Sequence, residues 1–227
     1  MKIAILAANG KIGRLLVKES LLQGINVSAF VRYNFDTSNL KQNLEEEGIE
    51  SNNLDSILQN FKIVNKDIFN LKASDLTNFN VIIDAFGEWQ DLSLHTKHIK
   101  YLCSILKGNE AKFIVVGGAG SLYMDKEYKI RLMDTPDFPK EYLPLAKASA
   151  EALEYLCTQN EINWLYVSPA AIFDYNAKKT NSYQIIGEEF QTNKQGESII
   201  SYKDYAMALI KLASNNTYNK QRIGLIS

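Results

Sequence analysis

A glycine-containing turn near the start of the chain is the segment best suited to bind a phosphate group. It reads Ala7-Ala8-Asn9-Gly10-Lys11-Ile12-Gly13, which resembles a GxxGxxG pattern in which alanine, Ala7, replaces the first glycine. The turn joins an apolar run to a helical pattern. Gly10 permits close approach to a pyrophosphate, and Gly13 permits close packing of helix on strand. Because a helix N-terminus directs N–H groups and a partial positive charge at anions, the turn predicts a dinucleotide site.

The residue that follows the second apolar run bears on which nucleotide binds. A dinucleotide site needs a carboxylate there for a free ribose 2′-hydroxyl, or a cation for a 2′-phosphate. The run is followed by Arg32, whose planar guanidinium suits phosphate, so the sequence favours NADPH over NADH as cofactor. Lys11 would add a second positive charge near the phosphates. The alternative for Arg32 is an ordinary surface arginine after a strand.

Short β-branched runs alternate with longer helical patterns along the chain, which is typical of βαβ units around a parallel sheet. Several runs are apolar without alternation, as expected of strands covered by helices on both faces. The polar segment 33–53 is predicted to be a solvated surface excursion. The predicted strands are Ile3–Leu6, Val27–Val31, Phe61–Val64, Val81–Ala85, Phe113–Gly117, Trp164–Ser168 and a possible seventh at Arg222–Ile226. The predicted helices are Lys11–Gln23, Asp55–Gln59, Ser93–Leu106, Pro144–Gln159 and Lys203–Ala213.

Composition limits the class of protein. The 227 residues are 46% hydrophobic and 22% charged, which fits one globular domain and excludes a disordered or coiled-coil chain. The formal net charge of −1 gives no general attraction to nucleic acid. Two distant cysteines, Cys103 and Cys157, argue against a disulfide framework and a zinc site, and favour the cytoplasm. No apolar stretch is long enough for a membrane-spanning helix.

Longer motifs resemble one branch of the atypical short-chain dehydrogenase-like NAD(P)-binding proteins. That branch comprises NADH-flavin reductase proteins related to biliverdin-IXβ/flavin reductases and to nitrogen-metabolite-repressor-like proteins. The resemblance runs along nearly the whole chain, and its most particular motifs are Gly-Gly-Ala-Gly-Ser and Asp-Thr-Pro-Asp-Phe-Pro. The matching segments, besides the glycine turn, are 81–87, 115–122, 131–139, 167–170, 196–198 and 201–206.

The resemblance implies an α/β fold with a Rossmann-like, doubly wound parallel sheet of order 3-2-1-4-5-6 in a single domain, 1–227. The small substrate side would come from about 120–145 and 169–205. The resemblance also implies the other residues near the cofactor. Asp67 and Ile68 would hold the adenine, Ala85, Phe86 and Gly87 would pass beside the adenosine ribose, Gly117, Gly118 and Ala119 would lie near the nicotinamide ribose, and Ser168, Pro169 and Ala170 would meet the carboxamide.

The chain departs from the catalytic pattern of classical short-chain dehydrogenases. Those enzymes place a tyrosine four residues before a lysine, so that the phenol can transfer a proton to a carbonyl. Here Leu143 stands four residues before Lys147, and Tyr142 is one position off. Ala119 replaces the expected serine, with Ser121 two residues later. Lys147, Ser121 and Tyr142 are therefore only weak catalytic candidates, although Lys147 is also a candidate cofactor contact.

The expected activity is transfer of hydride from NAD(P)H to a small planar acceptor, either a flavin (FMN or FAD as substrate) or a quinone, because such a ring can take its proton from water. The alternative is a non-catalytic NADP(H) redox sensor that regulates a protein partner. A sugar-nucleotide epimerase is disfavoured, and the chain is expected to be a monomer or homodimer without nucleic-acid or membrane partners. Candidate walls of the acceptor pocket are Phe86, Trp89, Leu122, Tyr123, Phe138 and Phe173.

His95 and His98 lie three residues apart on a predicted helix, as half of a metal site would. The sequence offers no adjacent acidic or thiolate ligand, so surface or core roles are favoured and no metal is expected.

Overall fold

The apolar runs form the strands of one eight-stranded sheet in a computed structural model that describes residues 1–227. The spatial order is β3-β2-β1-β4-β5-β6-β10-β8, which confirms the predicted order 3-2-1-4-5-6. The predicted seventh strand is β10, which runs parallel to β6, and β8 adds an antiparallel edge. The strands are β1 (Lys2–Leu6), β2 (Asn26–Val31), β3 (Phe61–Asn65), β4 (Val81–Asp84), β5 (Lys112–Val116), β6 (Asn163–Ser168), β7 (Ile172–Asp174), β8 (Gln184–Ile186), β9 (Ile199–Ser201) and β10 (Gln221–Ile226).

Helices cover both faces of the sheet, which explains why the strands are apolar without alternation. In β1, Ile3 and Ile5 belong to one apolar core and Ala4 and Leu6 to the other, and all four are fully buried. The first core lies under α1 and α6, and the second under α4 and α5. The helices are α1 (Lys11–Leu22), α2 (Thr37–Glu46), α3 (Ser51–Leu58), α4 (Ser93–Leu106), α5 (Leu143–Cys157) and α6 (Tyr202–Ala213).

The segment 33–53 is mostly exposed, as predicted, but it also contains α2 and the start of α3, which were not predicted. The Asp36 side chain caps α2 by accepting a hydrogen bond from the Asn39 N–H at 3.0 Å. Leu40 and Leu44, four residues apart, are the buried residues of α2. This narrow apolar stripe is enough to dock a short helix, although the remaining positions are polar.

The regions predicted to form the substrate side, 120–145 and 169–205, contact each other. The Tyr123 N–H donates to the Glu188 carbonyl, and the Phe190 N–H donates to the Tyr123 carbonyl. The second region also contributes β8 and the two-stranded parallel ribbon of β7 and β9, none of which was predicted. These strands are only three residues long, which is too short to show a clear alternation of apolar and polar residues in the sequence.

A broad cleft opens at the amino ends of β4, β5 and β6, on the edge of the sheet opposite the glycine turn. Asn80, Lys112, Asn163 and Tyr218 line part of it. The Lys112 ammonium donates to the carbonyls of Leu212 and Asn215 at the end of α6, so it serves as a cap for that helix. No helix in the chain combines the length and apolar character needed to cross a membrane.

Candidate functional site

The turn between β1 and α1 is shaped by the close approach of the start of α1 to the end of β1. Ala7 adopts a left-handed conformation with φ of 54°, and the Gly10 N–H donates to the Ala7 carbonyl at 3.0 Å. A Cβ at Gly13 would lie 2.7 Å from both the Ala7 oxygen and the Ala8 Cα, so only glycine lets α1 sit this close to β1. The side chain of Ile12 is buried in the core, which leaves only its backbone facing the turn.

The first turn of α1 is open to an anion. Gly10 is the N-cap residue and is exposed, and no side chain caps the helix. The leading N–H groups of a helix have no partner inside the helix, and an anion in front of them satisfies them. The exposed Lys11 side chain lies in the same first turn, with its ammonium 4.9 Å from the centre of the Tyr175 ring. This end of α1 therefore suits a diphosphate.

The side chain of Asn9 is held in place by hydrogen bonds from its amide nitrogen, whereas its amide oxygen makes none. Its Nδ2 donates to the carbonyls of Tyr33 and Asn34 at 3.4 and 3.3 Å. Its Oδ1 is buried and has no hydrogen-bond partner. A buried acceptor without a partner costs stability, so a ligand that donates a hydrogen bond here would be favoured. From the sequence, Asn9 was expected to contact the nucleotide only as part of the turn.

Arg32, at the end of β2, lies near the residues that follow β3. Its Nε is 3.9 Å from Asp67 Oδ2, and 65% of its side chain is exposed. Asp67 also accepts a hydrogen bond from the Phe69 N–H at 2.8 Å, which fixes the start of a short 3-10 helix. The Ile68 side chain is buried, so only its backbone can meet a ligand. The geometry leaves most of the guanidinium free.

The carboxyl end of β4 contains a buried ion pair between Asp84 and His98. Asp84 Oδ2 lies 2.8 Å from His98 Nε2, and His98 Nδ1 lies 2.8 Å from the Leu94 carbonyl. Both ring nitrogens face acceptors, an arrangement that favours the doubly protonated, charged ring. Burial alone would lower the pKa of His98, but the charge and hydrogen bond of Asp84 outweigh it and raise the pKa. Asp84 was missed in the sequence because fourteen residues separate it from its partner.

The same pair orders the segment Ala85–Gly87. Asp84 Oδ1 accepts a hydrogen bond from the Phe86 N–H at 3.1 Å. The Phe86 ring stacks on His98 with 4.1 Å between ring centres. Ala85 is buried, whereas Gly87 is exposed with no atom within 4 Å of a Cβ placed on it. His95 and His98 are thus buried core residues, one of the two roles that the sequence left open. The chain contains no group of three or more side chains suited to a metal ion.

The carboxyl end of β5 packs closely against Tyr166 of β6. A Cβ at Gly117 would lie 2.1 Å from the Tyr166 ring, and the Gly118 N–H donates to the Tyr166 hydroxyl at 3.1 Å. Burial raises the pKa of Tyr166 to about 12, so this phenol stays neutral and fixes the backbone rather than exchanging protons. Ala119 is half-buried beside these glycines. The role of Tyr166 was not predicted, because it reads as an ordinary strand residue.

The three weak catalytic candidates have separate surroundings. Ser121 is buried, and its Oγ accepts a hydrogen bond from Arg222 Nη1 at 2.9 Å. Arg222 is itself buried and also pairs with the Glu188 carboxylate. Tyr142 is 48% exposed and precedes α5, while Lys147 is exposed within that helix. No hydrogen bond joins any two of the candidates.

The carboxyl end of β6 supplies a second buried polar atom without a partner. Ser168 is fully buried and its Oγ makes no hydrogen bond. Pro169 and Ala170 are also buried. Beneath them, the Tyr205 hydroxyl donates to the Val167 carbonyl at 2.6 Å and holds the strand end in place. Like Asn9 Oδ1, Ser168 Oγ is a buried polar atom whose hydrogen-bonding capacity is unused within the chain.

The predicted acceptor walls divide into core and surface residues. Leu122 is fully buried, so its prediction as a wall is wrong. Phe173 stacks on Tyr202 with 3.8 Å between ring centres, so its face is already covered. Tyr123 packs between Tyr128 and Arg222. Phe138 is half-buried, and Trp89 is 69% exposed.

The chain is similar to known proteins along nearly its whole length. The sequence model of the NAD(P)H-binding family matches residues 7–216. The YwnB protein of Bacillus subtilis (strain 168) is 38% identical over 229 residues, which cover 100% of this chain and 99% of YwnB.

Solved structures show the same fold. A "putative NADH-flavin reductase" from Streptococcus pneumoniae TIGR4 has a TM-score of 0.87 and 41% identity, and the match covers 100% of this chain and 99% of that one. A wide-type short-chain dehydrogenase/reductase from Veillonella parvula DSM 2008, solved in complex with NADP, has a TM-score of 0.65 and 17% identity, with coverage of 100% and 94%. At 17% identity, the similarity to the Veillonella parvula protein shows only that the two chains share a fold.

Proposed function

This chain belongs to the NAD(P)H-binding family, and on that premise we propose that it is an oxidoreductase that uses NADPH to reduce a small planar acceptor, a flavin or a quinone. The observation that carries the proposal is the uncapped N-terminus of α1, packed against β1 through Gly13 and open to a diphosphate. The name of the pneumococcal relative supports the acceptor class. The free thiols of Cys103 and Cys157 favour work in the cytoplasm.

The proposed cofactor contacts follow the carboxyl edge of the sheet. The backbone around Gly10 holds the pyrophosphate, Arg32 pairs with the 2′-phosphate, and Asn9 Oδ1 accepts a hydrogen bond from the nucleotide. Ser168 Oγ is proposed to bind the nicotinamide carboxamide. The remaining proposed contacts are those implied by the resemblance, from Asp67 and Ile68 at the adenine to Gly117, Gly118, Ala119 and Lys147 near the nicotinamide ribose.

When bound, NADPH supplies a hydride from its reduced nicotinamide ring. The contribution of the protein is then to orient cofactor and acceptor and to exclude unproductive geometries. The ordered segment Ala85–Gly87 and the close-packed Gly117–Gly118 backbone give the site rigid sides. Ser121 is engaged by Arg222, and Tyr142 is exposed to water, so the acceptor is expected to take its proton from solvent.

The alternative is an NADP(H) redox sensor built on the same site. It is supported by Leu143, which occupies the position four residues before Lys147 where a classical enzyme has its tyrosine. A sensor would bind the nucleotide without turnover and transmit its redox state to a protein partner.

The test is to mix the purified protein with NADPH and either FMN or menadione, and to follow the absorbance of NADPH. We expect oxidation well above the rate without protein, and loss of that activity in a Gly13→Ala variant. Tight NADPH binding without turnover across flavins and quinones would favour the sensor. Absence of binding of both NADPH and NADH would contradict both functions.

A further inference from the structure

Two large aromatic side chains stand exposed together at the carboxyl edge of the sheet. Trp89 is 69% exposed and Tyr142 is 48% exposed. Their ring centres are 6.4 Å apart, with the ring planes at 74°. Trp89 belongs to the connection after β4, and Tyr142 immediately precedes α5. Exposed apolar side chains that lie in contact with each other are a common feature of binding surfaces.

Trp89 is presented from a rigid backbone. The Glu88 carboxylate accepts hydrogen bonds from the Trp89 and Gln90 N–H groups at 2.8 and 2.7 Å. The Glu88 carbonyl lies 2.8 Å from His95 Nε2, which must therefore carry the proton. His95 is buried, and burial lowers its pKa, so the ring stays neutral and keeps this hydrogen bond near neutral pH. The indole thus projects from a segment that is ordered before any ligand binds.

Tyr142 is fixed in a similar way at the start of α5. Its N–H donates to the Pro139 carbonyl at 3.1 Å, and its carbonyl accepts from the Ala146 N–H at 2.9 Å. Neither its hydroxyl nor the Trp89 indole N–H makes a hydrogen bond within the chain. Both donors are therefore free for the carbonyl oxygens that flavins and quinones carry on their rings.

We propose that Trp89 and Tyr142 form the binding surface for the planar conjugated ring of the acceptor. The perpendicular arrangement offers the face of one aromatic ring and the edge of the other, the two geometries in which aromatic rings attract each other. The inference rests on the proposed function, since it assigns a place to the acceptor of that reaction. It also gives Tyr142 a binding role in place of the catalytic role considered from the sequence.

The experiment is an equilibrium titration of the full chain with oxidised riboflavin, and separately with menadione, in the absence of NADPH. These probes lack a phosphate group, so they cannot report binding at the N-terminus of α1. Quenching of Trp89 fluorescence reports binding to the wild-type protein and to Tyr142→Ala, and quenching of riboflavin fluorescence reports binding to Trp89 variants. Binding of riboflavin alone or menadione alone identifies which acceptor class uses the surface.

We expect Trp89→Leu and Tyr142→Ala each to raise the dissociation constant of the ring probe about fivefold, with NADP⁺ affinity unchanged. Trp89→Phe restores most of the affinity, because it keeps an aromatic face. Tyr218→Ala is the matched control, since it removes a tyrosine ring from the cleft at the opposite edge of the sheet. It should bind the probes as the wild type does.

Failure of the inference is distinct from failure of the proposed function. Turnover with unchanged probe affinity in both variants overturns the inference and leaves the reductase. Probe binding that depends on Trp89 and Tyr142, without NADPH oxidation, supports the inference and overturns the reductase. If no probe binds and either variant changes the elution volume of the protein in size-exclusion chromatography, the pair is a contact between copies of the chain and the inference is wrong.

Discussion

Arg32 is the single residue expected to distinguish the two nicotinamide nucleotides. Its guanidinium is mostly exposed, and its nearest carboxylate, Asp67, is 3.9 Å away, at the limit of an ion pair. A 2′-phosphate carries more charge than Asp67 and can accept two parallel hydrogen bonds from the guanidinium. We expect Arg32→Ala to raise the dissociation constant of NADPH about tenfold, or about 1.4 kcal/mol, and to change that of NADH less than about twofold.

Fluorescence titration with each nucleotide measures this difference. Lys62→Ala is the control, because it removes one positive charge from an exposed position on the neighbouring strand β3. Equal weakening of both nucleotides, or of neither, would show that Arg32 does not contact the 2′-phosphate.

At the scale of elements, the end of β4 is joined to α4 by the Asp84–His98 pair. We expect the pKa of His98, followed by NMR of its ring protons, to lie above its usual value in the wild type. Asp84→Asn removes the charge that raises this pKa and leaves the burial that lowers it, so the His98 pKa should fall below the usual value. Burial is the largest cause that lowers the pKa of His95, the other histidine, so this pKa should stay below its usual value in both proteins. If the pKa of His98 is the same in Asp84→Asn as in the wild type, the Asp84 carboxylate is not what raises it.

The pair also makes the free energy of unfolding depend on pH. Because the folded pKa of His98 is raised, its contribution is fully present below the unfolded pKa of about 6.5 and is lost as pH rises through the folded value. His95 acts in the opposite sense: its folded pKa is lowered, so the neutral ring contributes stability above about 6.5 that is lost at lower pH. The two effects partly offset each other, which is why the NMR measurement is the more direct one.

At the scale of the whole molecule, nucleotide binding should stabilise the entire fold, since the proposed site spans the carboxyl ends of most parallel strands. At a free NADP⁺ concentration one hundred times its dissociation constant, the expected gain is about 2.7 kcal/mol, or a rise in Tm of roughly 5–10 °C. Gly13→Ala should remove this rise, because its Cβ would lie 2.7 Å from the Ala7 oxygen and force the turn open.

Gly187→Ala is the control for that variant, since a Cβ at Gly187 has no atom within 4 Å. Differential scanning calorimetry without ligand shows whether Gly13→Ala is folded before NADP⁺ is added. A full ligand-induced shift in folded Gly13→Ala would place the nucleotide away from the turn.

The sequence by itself determined the elements whose signal is local. The non-alternating strands and the glycine turn could be recognised from short stretches, because burial on both faces and close helix packing leave direct marks on composition. The strand order came from the family resemblance, and the sheet confirms it. α2 was missed because its apolar stripe consists of two leucines in a polar segment.

Only the tertiary structure decided which side chains meet. His98 reaches Asp84 fourteen residues away, Arg222 reaches Ser121 across 101 residues, and Trp89 faces Tyr142. Leu122 was predicted to line a pocket and is core. The physical reason is that exposure, hydrogen-bond partners and pKa depend on neighbours brought together by packing of distant elements. Residue type and spacing specify the strands and helices, but they do not specify which side chains come into contact where these elements end.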